Sequence, residues 1–405
     1  MEEKTLLYLQ NTVASLRSAG HHETADTLTR AQEELAEAQW CEMTESILLA
    51  VRDPVVLSSA YELHESVLKV IRIDMPPIAY VKLLHSICFS PNVTLPMALE
   101  LIEDAAVCLV SNSSEQGENA VSCIRALLLL DRNRVDAHGR STEAAAQEAR
   151  AILDRVETFI HKKQMHEVDP VLTALHCEAR GKDYEMRLQY TKYYHNAFEI
   201  MNNTERAEMP IVESDKLKLA YDTAVAALLS EEIYNFGKLL NDKRFTARLA
   251  ESTVHAWILE WLRLCNDGQV EAFELYAIDH RDQIESNPVL AHAHASITFK
   301  VRLMALLHLV FYTPFNERTF KFDVISKRCA VQLDRVEPLL LAALAKGVII
   351  GKIDGLTEEI HITWVEPRVL SLQEVKDLAA HVSHWKEKVI ALSSFVSETV
   401  QETLK

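Results

Sequence analysis

Along the first 296 positions, apolar residues recur at helical spacing between short polar breaks. Glu34 to Leu49 sets Leu35, Ala38, Cys41 (with Trp40 beside it), Ile47 and Leu48 on roughly one stripe, which predicts a helix. Tyr61 to Ile73 does the same with Leu63, Val67, Leu68 and Ile71. Asp74-Met75-Pro76-Pro77 ends that run, and the prolines suit the first turn of another helix. Ser90-Pro91-Asn92 is a second break, and Leu95 to Val110 follows as a helix. Further breaks fall near Ser111 to Gly117, His138 to Ser141, Asp169-Pro170, Asn202 to Pro210, Asn241-Asp242, Asn266-Asp267-Gly268 and Asn287-Pro288. Helices of about 12–25 residues separated by short breaks predict stacked helical hairpins, an α-solenoid over residues 1–296.

No strict repeat consensus accompanies this rhythm. The tetratricopeptide pattern of Trp, Leu-Gly and Tyr at fixed offsets is absent, so such repeats are degenerate here. An irregular helical domain without superhelical curvature is the alternative that the pattern leaves open.

The texture changes after Pro314. Arg318-Thr319-Phe320-Lys321-Phe322 is short and aromatic and leads into a short helix, Asp323 to Ala330, then a turn at Val331-Gln332-Leu333. Asp334 with Glu337 three residues on predicts a capping box opening a helix to Lys346, and Gly347 fits the left-handed residue that ends it. Val348 to Asp354 is rich in strand formers, Gly355 marks a turn, and Glu359 to Trp364 alternates polar and apolar as a second strand. Helices followed by a two-stranded wing predict a winged helix over residues 297–370. Ile349, Ile353, Ile360, Ile362 and Trp364 are its candidate residues for interface or core, with the period-2 face assigned to the core.

Residues 371–405 predict one long helix. Its apolar positions Val375, Leu378, Val382, Trp385, Val389, Leu392 and Val396 advance in steps of 3 and 4. That is a heptad seam, and it requires partner helices along its length. At 1.5 Å per residue, Leu372 to Leu404 reaches about 50 Å, further than a small winged helix can cover. Either a partner or this chain's own solenoid covers the rest.

Composition narrows the class. Nine Gly and eleven Pro in 405 residues disfavour turn-rich β folds and Gly-rich phosphate loops, while 48% apolar and 25% charged residues fit a globular helical chain. Net charge is −17, unevenly spread. Residues 297–405 carry 14 basic and 13 acidic side chains, which leaves −18 on the first 296. That acidic part repels a phosphate backbone. Seven scattered cysteines with no CxxC pair read as reduced thiols buried as small apolar residues. The N-terminus lacks an apolar signal region, and the window Val301 to Phe315 is interrupted by Arg302 and His308 and is too short to span a bilayer. A soluble cytoplasmic or nuclear protein, off the membrane, is the expectation.

Chemistry-bearing clusters are sparse. His22 and Asp26 stand one turn apart beside His21 and Glu23, but a closed zinc site needs about four ligands, so a polar inter-helix turn is the better account. His292 and His294 are two apart and face different sides of a helix. No GxSxG, HExxH or GxxxxGK[ST] motif occurs, and Gly347, Gly351 and Gly355 are turn glycines. No catalytic, cofactor-binding or metal residues are assigned. A winged-helix nucleic-acid binder would need a basic recognition face, yet Asp334 to Lys346 offers Arg335 and Lys346 only at its two ends.

An acidic helical solenoid, a protein-facing winged helix and a terminal heptad helix together resemble the PCI-domain subunits of the proteasome lid, the signalosome and a translation initiation factor. Ile360-His361-Ile362-Thr363-Trp364-Val365-Glu366-Pro367-Arg368-Val369-Leu370, followed by Leu372 to Lys376, is similar to the wing-to-tail junction of a lid subunit of the 26S proteasome regulatory particle. Ile233 to Leu240, Asn266 to Phe273, Gly347 to Asp354 and, more weakly, Tyr190 to Ala197 are similar to the same subunit. This wording begins near residue 184; before it, likeness rests on length and helical texture. The resemblance implies a non-catalytic, cofactor-free scaffold in a hetero-oligomer, serving ubiquitin-dependent protein degradation. Its partners would be other PCI-domain lid subunits, a ubiquitin receptor subunit and the deubiquitinase pair. A PCI scaffold of the signalosome or the initiation factor is the alternative.

Overall fold

A computed structural model describes residues 2–131, 135, 142–164, 166–209, 213–370 and 372–403. The break expected at His138 to Ser141 lies outside the described residues. Contacts gather the chain into two units, Met1–Ile211 and Val212–Lys405.

In the first unit, helices Glu2–Ala19, His22–Ala36 and Trp40–Ala50 pack in succession. Pro77–Cys88, Leu95–Ser111, Glu115–Leu129, Thr142–Lys162, Pro170–Met186 and Tyr190–Arg206 continue the hairpins. Most bury an apolar stripe, while Glu115–Leu129 is buried all round at Ala126 to Leu129. On Leu95–Ser111 the stripe is Leu95, Ala98, Leu101, Ile102, Ala105, Cys108 and Leu109, one face of a 3.6-residue period. The stripe predicted from Tyr61 to Ile73 contains a π-turn at His64–Leu68, where His64 Nε2 lies 3.1 Å from the Tyr80 hydroxyl inside the core.

One turn recurs from hairpin to hairpin. Gly20, Ala38, Ser113, Leu188, Glu208 and Gly268 all have positive φ just past a helix end. In each case the next residue's N–H bonds back five residues: His21 to Leu16, Gln39 to Glu34, Ser114 to Leu109, Gln189 to Tyr184, Met209 to Thr204 and Gln269 to Leu264, at 2.9–3.1 Å. This is the Schellman closure, which glycine favours because it has no Cβ to strain. Four of the six positions are not glycine, and that hides the turn. The single helix expected from Glu34 to Leu49 is therefore corrected to two, broken at residues 37–39. Gly268 is held by more than its φ of +62°: a Cβ there would stand 2.4 Å from Ala305 Cα.

In the second unit, Glu213–Leu229, Gly237–Asn241, Lys243–Glu251, Ala256–Asn266, Val270–Asp279 and Arg281–Ser286 precede a 24-residue helix, Pro288–Phe311. The Asn287 side chain accepts from the N–H groups of Val289 and Leu290, and Pro288 occupies the first turn. Residue 297, where the sequence reading opens the winged-helix part, lies inside this unbroken helix. The helix is longer than the window weighed against a bilayer, and its length and composition alone would allow a span. Ile297, Val301, Leu303 to Leu307 and Val310 are instead buried in the unit's core.

The winged helix follows as strand β1 (Thr319–Lys321), helices Phe322–Cys329 and Val336–Ala345, and strands β2 (Ile349–Asp354) and β3 (Glu359–Val365). The expected wing had two strands. The sheet has three in the order β1-β3-β2, all antiparallel, because Thr319 to Lys321 pairs with His361 to Glu359. The capping box is also corrected: Asp334 lies in a 3-10 turn, Leu333–Arg335, and the helix after it has no side-chain cap. Gly347, at φ +71°, does end that helix.

Candidate protein-interaction site

The tail helix, Leu372–Thr403, is 32 residues or about 48 Å long. Six of its seven seam residues lie in water: Val375, Leu378, Val382, Trp385, Val389 and Leu392 are 46–67% exposed. The Val396 side chain lies outside the described residues. A period of 3.5 keeps these side chains on one narrow line, so a neighbouring helix could cover all of them at once.

The wing candidates divide. Ile349, Ile360 and Ile362 point into the winged helix's own core at 0–1% exposure, and Ile353 is half-buried. Trp364 stands on the other face, 41% exposed, directly across from Ile350 at 57%. Ile350 was missed in the sequence; its place opposite Trp364 depends on the irregularity between Ile350 and Gly351 that shifts the register. There the backbones approach so closely that a Cβ on Gly351 would lie 2.5 Å from the His361 carbonyl oxygen. Among the described residues no strand pairs with the outer edge of β2, so its backbone groups are open to another strand. The outward side of Val336–Ala345 presents Glu337, Pro338 and Leu341. A nucleic-acid reader would need arginine, lysine or amide side chains there.

Between wing and tail, segment 366–370 is strapped to the helices of the same unit. The Asn235 Nδ2 reaches the Pro367 carbonyl at 3.5 Å, Arg368 donates to the Asn266 carbonyl, and the Glu366 N–H donates to the Val348 carbonyl at 2.9 Å. Asn266 Oδ1 also accepts from the Phe236 N–H at 3.2 Å. A Cβ on Gly237 would sit 2.8 Å from Val369 Cβ, so only glycine lets the strap lie this close. Three stretches that are far apart in sequence, at 233–240, 266–273 and 360–370, thus meet at one place. Burial lowers the Arg368 pKa against the opposing pull of Asp267. Arginine starts so high that it keeps its charge.

On helix Pro288–Phe311, Lys300 is 5% exposed. Its ammonium donates to the carbonyls of Ala227 (2.7 Å), Leu228 (3.4 Å) and Ser230 (2.6 Å), which satisfies the end of helix Glu213–Leu229, and it faces the rings of Tyr234 and Phe236. Burial pulls its pKa down to about 8. His308, on the same helix, is lowered to about 4 by burial and then by the Arg368 and Arg328 charges. Arg328 lies 3.2 Å from its Nδ1, which suits a neutral ring.

The remaining candidates for chemistry resolve into structure. His21, rather than His22, is engaged: its Nδ1 meets Asp53 at 2.7 Å, and Thr24 donates to the same carboxylate. His292 Nδ1 lies 2.6 Å from the Pro288 carbonyl. Among the described residues no cluster of three His, Cys, Asp or Glu could hold a metal ion. Among the described residues no disulfide links the seven cysteines, and six are buried; Cys41 is exposed, contrary to expectation, because its helix starts at Trp40 and turns that side outward.

Helical hairpins ending in a winged helix with an open strand edge and an uncovered seam define a helical-repeat protein organised around protein contacts. A family model described as PSD13 N-terminal repeats matches residues 27–262, more than half of the chain, and the chain belongs to that family. The match begins far upstream of residue 184, where the resemblance in wording starts. Among similar proteins is the 26S proteasome non-ATPase regulatory subunit 13 of Dictyostelium discoideum, 31% identical over 207 residues, covering 51% of this chain and 53% of that protein. Homolog B of the same subunit in Arabidopsis thaliana is 28% identical over 254 residues (62% and 64% coverage). The 26S proteasome regulatory subunit RPN9 of Saccharomyces cerevisiae is 27% identical over 241 residues (60% and 59%). The aligned part therefore spans between about half and two thirds of these relatives' own length.

Proposed function

We propose that the chain is a non-catalytic structural subunit of the proteasome regulatory particle, within its lid, and supports ubiquitin-dependent protein degradation as part of a hetero-oligomer in cytoplasm and nucleus. The observation that carries this reading is the tail seam, six apolar side chains in water on one line of a 32-residue helix. Fully covering side chains of this size contributes about 1.5–3 kcal/mol each, which favours a partner over solvent. The relatives named as proteasome regulatory subunits supply the complex. Other PCI-domain lid subunits would pair with the β2 edge and bundle with the tail; a ubiquitin receptor subunit and the deubiquitinase pair would lie nearby. Edge pairing suits β2, whose free N–H and C=O groups a partner strand satisfies.

Mild affinity purification of the tagged chain tests this. Recovery of lid and base in similar amounts supports it. Recovery of signalosome or initiation-factor subunits would keep a scaffold but assign it to another complex. A chain that comes down alone at low salt would overturn the scaffold reading.

A further inference from the structure

The tail helix leaves the winged helix through the strap at 366–370, and that strap is held by contacts that the wing's own fold does not require. We propose that Arg368 and Gly237 are positioning residues: they lock the strap against the 233–240 and 266–273 segments and so aim the tail helix for its partners. This rests on the scaffold reading above for its purpose, but not for its geometry.

The physical need follows from the helix's length. Ser394 stands about 33 Å along the helix from Leu372, so a swing of about 10° at the strap moves it by about 6 Å. A seam displaced that far no longer meets a partner's seam in register. Two devices oppose such a swing. The half-buried Arg368 guanidinium donates to the Asn266 carbonyl, a charge-assisted bond. Gly237 leaves no space between its helix and Val369, so the strap lies directly on backbone. Asn266 ties the two together: its carbonyl holds Arg368 and its side chain holds the Phe236 N–H, one residue before Gly237.

The test is a pulsed paramagnetic distance measurement on the otherwise intact chain. Spin labels go on Ser296→Cys, exposed on helix Pro288–Phe311, and on Ser394→Cys, with Cys41→Ser removing the exposed native thiol. The parent should give one narrow distance distribution. Arg368→Met, which keeps the stem and removes the donors, should broaden or shift it by about 6 Å. Gly237→Ala should do the same by pushing Val369 away, and Arg368→Lys should recover part of the parent's width. The helical circular dichroism of both disrupting variants should stay at the parent level.

Distributions in Arg368→Met and Gly237→Ala that coincide with the parent's would overturn the proposal. So would a parent distribution as broad as theirs. Loss of the helical signal in both variants would also overturn it, because the strap would then be part of the core rather than an aiming device. Failure of the parent to recruit proteasome subunits would sink the scaffold reading and leave the distance result intact.

Discussion

Helices Pro288–Phe311 and Leu372–Thr403 belong to the same unit and are both long, yet they meet opposite fates. The first is apolar over its second half, and from Lys300 to Val310 protein buries most of it, so that the Lys300 ammonium is satisfied by backbone carbonyls. The second has one narrow apolar line on a charged cylinder, and that line lies in water. The width of the stripe separates them. A broad apolar face fits a core that surrounds the helix, whereas a strict 3.5 period fits a second helix alongside. Trp261 and Trp385 show this in one residue type: Trp261 is fully buried and stacks on Phe273 at 4.9 Å, and Trp385 is 67% exposed.

The largest effect that would separate the two helices is on assembly. Deleting Leu372 to Lys405 should leave a folded chain by circular dichroism while co-purification with proteasome subunits falls to background. Collapse of the whole fold would show that the tail packs on its own chain. Next comes Trp261→Ala, which should lower unfolding free energy in urea by about 3–5 kcal/mol through lost burial and a residual cavity. A smaller loss, about 2–3 kcal/mol, is expected for Lys300→Met, which leaves the three carbonyls without their donor.

The buried helix should also show acid sensitivity. His308 titrates near 4 in the fold and near 6.5 when unfolded, so between those values the unfolded chain binds the extra proton. Its contribution is present above about 6.5 and is lost as pH falls toward about 4. His308→Gln should flatten thermal stability against pH in that window. The smallest effect belongs to the tail: Trp385→Ala should change the isolated chain's stability by less than about 0.5 kcal/mol. A larger loss there would mean that Trp385 is packed within the chain.

Helix stripes were readable in sequence where proline or asparagine punctuated them. Pro77, Pro170 and Pro288 each open a helix as expected. The Ala38 turn was not readable, because its left-handed φ is imposed by the packing of two helices on a residue that does not prefer it. Strand β1 was missed for a related reason. Three residues carry too little pattern, and only pairing with β3 makes them a strand. The division of the wing candidates depended on register: Ile362 and Trp364, two apart, would share a face in a regular strand, and the irregularity opposite Ile350 and Gly351 turns Trp364 to the other side.

By itself, then, the sequence determined the helical class, the winged helix with its glycine-ended second helix, and the unbroken seam of the tail, because local spacing and turn chemistry set all of these. Tertiary structure alone decided that 233–240, 266–273 and 360–370 meet at one strap, that Lys300 caps a helix some seventy residues away, and that Ile350 joins Trp364 on the open face. Those are contacts between distant segments, and periodicity within one segment carries no record of which other segment will lie against it.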